Sequence, residues 1–563
     1  MNRFDINRKT ATLLCIFLII FILGTVLMFI LPVNVKATYG KTVKTVDKET
    51  ISFNVFEPKR AEINKKAIIL GHGIMSNKEM LKGFAIELAA AGFVAIPFDF
   101  RGHGQSTGEL ERDLLINDIN AIISYLNTRS DINTSSLGYF GFSMGGGPGI
   151  EVVNQSTDFR CFIGAGTNLP IDVRKGNSTH PLNILMIVSR YDEVIKIKDL
   201  KEGLSDYTGI ATEDLDVNRL YGSFQDGNAA MIYLDDNSNH VLGDWDTDFI
   251  REARNFALNS FPDVIPIDEN FYAHIRIIIL FLQLLGGFGF FILIVNPLSK
   301  FILKTRDVEN VILETEVEPI IKFGVKVLGY SLILGIPGIL IFVPFILITF
   351  LPIAGFISAL LFGQSFGFLV FLWRLGKKKN ITLIKIVKEP FKISRSNLIR
   401  QFLLGSILAL LSTVILYLSG GLHYIGMIPS ITKIPWIPLY FAIFFMIFMI
   451  FGLLYHGILQ NNSEKGMISQ IKISLLIFGT QFLYMTMILL VVALIMGNFF
   501  FFGTFLPIAL PLFIMNSFIS TILYDKTGNI IPGALINTLF LTLFICTISP
   551  YQIGIKFIFG FFH

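Results

Sequence analysis

The distribution of long apolar runs constrains this chain more than any other feature. Ala11–Leu31 matches the ~20 residues that cross a bilayer as a helix. After residue 274, further runs of that kind fall near 275–296, 324–350, 352–373, 401–420, 435–458, 473–496, 499–523 and 531–551. Lipid offers no water to backbone N–H and C=O groups, so each run is confined to a helix. Between the first run and the rest, residues 36–270 mix charges, Gly and Asn with short apolar stretches, as a water-exposed fold does. Composition agrees: 53% of the 563 residues are hydrophobic and 16% charged. The expected organisation is an N-terminal anchor (1–35), a second domain (36–270) and a membrane domain of about eight helices (271–563).

Charge orients the spans. Arg3, Arg8 and Lys9 precede the first run, and the loop 374–400 carries nine Lys and Arg against Glu389 as its only acid. Basic loops stay on the cytoplasmic side. Counting crossings from a cytoplasmic N-terminus puts 374–400 inside, together with 297–323 and 459–472, and 32–274 outside. Val35-Lys36-Ala37 is a poor cleavage site, so the first run reads as an uncleaved anchor in the cell membrane rather than a signal peptide. No basic stripe with interleaved aromatics appears in 36–270, which argues against nucleic acid as a partner. Cys15, Cys161 and Cys546 are isolated, forming neither a disulfide framework nor a metal-ligand set. No metal and no cofactor is expected.

Within 65–260, short apolar runs alternate with amphipathic stretches. Ala67–Leu70, Phe93–Phe98, Leu137–Phe140, Cys161–Ala165, Ile184–Val188 and Ala229–Leu234 read as buried parallel strands. Lys78–Ala91, Leu110–Thr128 and Gly146–Gln155 carry helical patterning. This alternation predicts a doubly wound, mostly parallel α/β layer, with reactive groups beyond the carboxyl ends of the strands. Directly after one strand comes Gly141-Phe142-Ser143-Met144-Gly145-Gly146-Gly147. A serine between glycines two residues to either side fits a nucleophile elbow, the sharp strand-to-helix turn that lifts a hydroxyl above the sheet edge. A Cβ at either flanking glycine would collide with neighbouring backbone in so tight a turn.

With Gly71-His72-Gly73, Asp99-Phe100-Arg101-Gly102-His103-Gly104-Gln105-Ser106, Gly141–Gly146, Asp192 and His240 in this order, residues 50–260 resemble an α/β-hydrolase. The group is the one that includes serine aminopeptidase-like, monoglyceride-lipase-like and dienelactone-hydrolase-like enzymes. The resemblance implies a serine hydrolase. Ser143 is the expected nucleophile, activated by a neighbouring base, and His240 the base, giving the chain order Ser…Asp…His of this fold. Asp192 and Glu193 are adjacent acids at a strand end; the family pattern favours Asp192, whose role is to hold the histidine tautomer. The backbone amides of Met144 and Ile74 are the expected oxyanion donors. His72 resembles the histidine that orders the oxyanion loop, His103 sits in a structural turn, and His180 lies in a polar loop. No large lid insertion is visible. The segment 196–228 makes at most a small helical cap, and a nearly uncapped site beside the bilayer suits an ester, a peptide end or a lipid head-group.

The C-terminal half contains a second resemblance. Phe451-Gly452-Leu453-Leu454-Tyr455-His456-Gly457-Ile458-Leu459-Gln460 looks like a degraded first motif of the CAAX-prenyl-protease-like (CPBP) membrane family, with Phe451, Gly452 and His456 in place of its paired glutamates and arginine. Thr527–Asn537 resembles that family's last motif, with Asn537 where a histidine belongs. Without the carboxylates the resemblance implies a catalytically dead relative. The spans hold no Asp or Glu, which argues against a proton-coupled transporter, and amides such as Gln283 and Asn537 read as bonds between helices. The expected activity is acyl-enzyme hydrolysis of a lipid, acyl ester or peptide-like substrate by a membrane-bound protein. An acyltransferase using the same residues is one rival, and a non-catalytic receptor or transport protein with a hydrolase-like domain is another.

Overall fold

The structure, a computed structural model, describes residues 7–60, 63–303 and 319–562. Arg3 and residues 304–318 of the 297–323 loop, both used in the orientation argument, lie outside the described residues. Eight strands form one sheet: β1 (Val35–Lys44), β2 (Thr50–Pro58), β3 (Lys65–Gly71), β4 (Val94–Phe98), β5 (Ile132–Phe142), β6 (Phe159–Ala165), β7 (Asn183–Tyr191) and β8 (Ala230–Asn239). Their order across the sheet is β1-β2-β4-β3-β5-β6-β7-β8. β1 and β2 pair antiparallel, as do β2 and β4, and every pair from β4 onward is parallel.

Strand residues point alternately to opposite faces, and both faces are filled. Ile68, Leu70, Phe140, Ile163, Leu185 and Ile187 join a cluster that includes Phe84, Leu88, Phe249, Ala253 and Phe256. These belong to α2 (Lys82–Ala90) and α6 (Thr247–Ser260), the latter N-capped by the Asp246 carboxylate. Ala67, Ile69, Tyr139, Phe162, Ile184, Met186 and Val188 meet the other layer. That layer is α3 (Leu115–Asn127), α4 (Gly146–Gln155) and α5 (Ile197–Thr208). A sheet buried on both faces explains why its strands read as unbroken apolar runs. The patterned stretch Lys78–Ala91 becomes helix only at Lys82: residues 78–81 form a turn in which the Lys78 N–H donates to Asp99.

Nine helices among the described residues are long and apolar enough to cross a membrane. The first is α1 (Arg8–Ile30). After the sheet come α7 (Ala273–Ile302), α8 (Ile320–Ile348), α9 (Pro352–Lys378), the short α10 (Leu383–Lys388), α11 (Arg395–Leu416), α12 (Ile437–Gly452), α13 (Met467–Met496), α14 (Phe500–Thr527), α15 (Ile531–Ile548) and a final short α16 (Gly554–Phe562). α1 packs along α7 where glycines admit close approach: a Cβ at Gly286 would lie 2.6 Å from the Phe21 backbone, the small-residue contact common between membrane helices. Gln283 crosses the same seam, donating to Thr25 at 3.0 Å and to the Leu418 carbonyl at 3.2 Å.

The sheet domain sits on one end of this bundle. α11 runs on into a π-helical stretch, Tyr417–Ile425, whose last carbonyls have no partner within the helix and are open to other donors. Lys82 donates to the Leu422 carbonyl at 3.0 Å, Asn77 to Ile425 at 2.9 Å and Trp245 to Tyr424 at 2.9 Å. Glu87 accepts from the Tyr272 and Ala273 N–H groups at 2.6 and 2.8 Å, fixing the start of α7. Beyond α15, Tyr551 exchanges backbone hydrogen bonds with Gly102 and Leu110. The basic loop lies at the opposite end, where the Pro390 carbonyl accepts from Asn529 at 3.1 Å.

Candidate active site

β5 ends at Phe142, and the next residue, Ser143, adopts φ +48°. That left-handed conformation costs a residue with a Cβ of order 1–3 kcal/mol and persists only where the surroundings over-determine it. Here they do. A Cβ at Gly141 would come 2.7 Å from the Gly145 carbonyl oxygen, and one at Gly145 would come 2.4 Å from that of Gly71. The two flanking glycines therefore let three backbone segments close on one another, and α4 begins directly after the turn. Tyr139 locks the turn from below, its hydroxyl donating to the Gly145 carbonyl at 2.9 Å.

Ser143 Oγ lies 2.9 Å from Nε2 of His240, and His240 Nδ1 lies 2.9 and 3.0 Å from the two carboxylate oxygens of Asp192. Asp192 is held in turn: its Oδ1 accepts from the Val194 and Ile195 N–H groups, both at 2.8 Å. The His240 and Asp192 side chains are 3% and 1% exposed, so water does not compete for this pair. Glu193 takes another position. It accepts from the His240 backbone N–H at 3.2 Å and from Asn239 at 3.1 Å, and does not meet the imidazole. Burial raises its carboxyl above the ordinary range.

The other predicted residues flank this core. Ile74 lines the pocket beside Ser143, while Met144 is the half-buried residue immediately after it. The loop before Ile74 is tied down by two buried imidazoles. His72 accepts from the Phe100 N–H at 3.1 Å and its Nδ1 lies 2.7 Å from the Gly73 carbonyl. His103 Nε2 lies 2.7 Å from the Ile74 carbonyl. Burial pushes His72 down to about 4 and His103 to about 3, so both are neutral ordering elements near pH 7. Asp99 anchors the neighbouring turn, bonding the Lys78 ammonium at 2.5 Å and the Gln105 N–H at 2.9 Å. His180 is exposed and remote from these contacts.

The pocket is covered, where sequence reading expects it nearly open, and the cover is the membrane bundle. Phe500, Thr504 and Ile508 of α14 and Ile548 at the end of α15 line the same cavity as Ser143 and His240. The His240 ring sits between Phe142 and Phe500, with centroids 5.8 and 6.0 Å away. Asn239 donates to the Gly503 carbonyl at 3.2 Å, joining the histidine loop to α14. No local motif marks these residues, since only the packing of two distant segments brings them here. Asp244 also lines the pocket. It is fully buried, and burial raises its carboxyl to about 7. The signal available for it is an acid one helical turn after His240 in an otherwise apolar stretch.

In the bundle, the two segments of the second resemblance converge on one cavity, lined by Phe451, Gly452, His456, Asn529 and Asn537 and, among its described residues, by no carboxylate. Asn537 bridges to Ser520 at 3.1 Å. Asp235, Asp246 and Asp248 cluster elsewhere, but Asp235 already accepts from Asn237 and Ser238, and Asp246 caps α6.

Residues 62–205 match the family described as serine aminopeptidase, S33. The fold is that of an α/β-hydrolase. An Escherichia coli relative, an uncharacterized 31.7 kDa protein of the traX-finO intergenic region, is 31% identical over 112 residues, covering 19% of this chain and 39% of the relative. YcjY of E. coli K12, also uncharacterized, is 38% identical over 98 residues, covering 16% and 32%. The chain thus spans well under half the length of the curated relatives it matches. Among solved structures, the Pyrococcus furiosus esterase Pf2001 is 16% identical with a TM-score of 0.32, covering 42% of this chain and 92% of its own. An α/β serine hydrolase homologue from Coxiella burnetii is 14% identical with a TM-score of 0.31, covering 40% and 97%. The family match supports a hydrolase.

Proposed function

We propose that this protein is a membrane-bound serine hydrolase that cleaves an ester or amide through Ser143, His240 and Asp192. The observation that carries this reading is the continuous chain of contacts from Ser143 Oγ to His240 to the buried Asp192 carboxylate, at 2.9 Å for each closest approach. As Oγ attacks the acyl carbon, His240 Nε2 takes its proton, and Asp192 stabilises the imidazolium through Nδ1–H. The Met144 and Ile74 amides stabilise the oxyanion. Collapse expels the alcohol or amine, which leaves with the proton from Nε2, and the acyl group stays on Oγ. Water then repeats the sequence, releasing the acid and restoring Ser143.

A fluorophosphonate probe on the full-length protein tests the assignment. Wild type should label, and Ser143→Ala should not. His240→Ala should lose at least about 10³-fold in labelling rate, since the members of such a triad act as a unit. A folded Ser143→Ala protein that still labels would sink the assignment.

The sheet domain and the basic loop sit at opposite ends of the bundle, which supports a hydrolase on the outer face of the cell membrane. With Cys15, Cys161 and Cys546 replaced by alanine, an impermeant thiol reagent on intact cells should label a cysteine at the exposed Gln225 and not one at the exposed Asn380. Labelling at Asn380 alone reverses the orientation.

A further inference from the structure

Beneath the pocket at Ser143 lies a second cavity, between the transmembrane helices. The pocket and the cavity share Ile508 and Ile548 as lining residues. α14 runs through both. Thr504, Ile508, Leu512 and Asn516 recur every fourth residue and so share one helix face, the first at the pocket and the last at the far end of the cavity. At ~1.5 Å rise per residue that stripe is ~18 Å long. This is about half the ~30 Å hydrocarbon thickness of a bilayer, the depth of one leaflet.

The polarity of the path is graded. Its walls are apolar, with Ile357, Phe448, Met485 and Phe544 among them, and Gln481 and Asn516 are its only polar lining among the described residues. At the mouth, beside Ser143, Thr504 Oγ1 and Asp244 Oδ1 are buried and have no hydrogen-bond partner among the described residues. Buried polar groups are ordinarily partnered, so these atoms mark where a ligand's polar end belongs. A peptide or glycan in the lower cavity would place its own polar groups against hydrocarbon walls, unpaired. An alkyl chain brings no polar group of its own into this slot.

We infer that this slot is an acyl-chain site, and that the substrate is the ester of a long unbranched fatty acid, its carbonyl at Ser143 and its chain lying one leaflet deep beside α14. The inference rests on the Ser143 reading above. Ethyl and hexadecyl fluorophosphonates, reacted with the full-length protein in lipid nanodiscs, test it directly, because both form the same bond to Ser143 Oγ with loss of fluoride. Wild type should react faster with the hexadecyl probe. Ala509→Trp and Leu512→Trp, which fill the slot below the mouth, should each lower the hexadecyl-to-ethyl rate ratio at least about tenfold, the effect of roughly two methylenes kept from burial. Asn516→Trp, one turn deeper, should lower it less. Ala509→Leu and Leu512→Phe give the same reading if a tryptophan variant does not fold. Equal rates for the two probes in wild type, or a ratio unmoved by every variant that still labels, would overturn the acyl-chain site alone. No labelling by either probe would overturn the Ser143 assignment instead.

Discussion

The two walls of the pocket at Ser143 are built on different terms. On the sheet side, glycines bring backbone against backbone: Gly141 meets Gly145, and Gly145 meets Gly71. On the membrane side, a Cβ at Gly503 of α14 would meet the Glu193 side chain, the Gly503 carbonyl accepts from the Asn239 side chain, and α14 otherwise lines the pocket with the side chains of Phe500, Thr504 and Ile508. Backbone contacts give way far less readily than side chains, so the first wall holds the serine rigidly. Side-chain contacts can be exchanged without moving the fold. On the proposed reading, chemistry falls to the rigid wall and selectivity to the adjustable one.

Substitutions on either side can break that division. The largest effect should come from Asp192→Asn, which turns one of the two oxygens facing the His240 Nδ1–H into an NH2 donor and permits the wrong tautomer. Ester turnover should fall about 10³–10⁴-fold with the melting temperature little changed. Gly503→Val comes next. Its Cβ falls where the Glu193 carboxylate lies, and the displaced carboxylate gives up its bond to the His240 N–H. Losing one such bond, about 1 kcal/mol, should lower kcat about fivefold. Glu193→Gln keeps an acceptor oxygen in place and should cost less still. Steady-state kinetics on the three variants decides the matter. If Gly503→Val proves as damaging as Asp192→Asn, the membrane wall belongs to the chemistry and the division fails.

Much of the sheet wall was legible in the sequence because its information is local. The elbow's glycines stand within two residues of Ser143, the strands announce themselves as apolar runs, and the order Ser143, Asp192, His240 follows the order of the strands that carry them. Even the choice between adjacent acids turns on a local feature: the Val194 and Ile195 N–H groups grip Asp192, while Glu193 is directed to the backbone of His240. The membrane wall left no such trace. Phe500, Thr504 and Ile508 look like any apolar span, and only the packing of α14 more than 250 residues downstream brings them over His240. The cover was invisible for the same reason: it is no insertion in the hydrolase but the neighbouring domain. Asp244 lay between these cases, a visible acid whose burial depends on the loop around it.

The carbonyls that the π-helical stretch Tyr417–Ile425 lends to Lys82, Asn77 and Trp245 have a consequence for how such a chain can be taken apart. The hydrolase is not a cassette. Cut free, it loses one side of the pocket, and Lys82 exchanges its carbonyl partner for water. Transplanted onto another bundle, its histidine loop meets a stranger's helix. The two halves must therefore be altered and engineered as a matched pair.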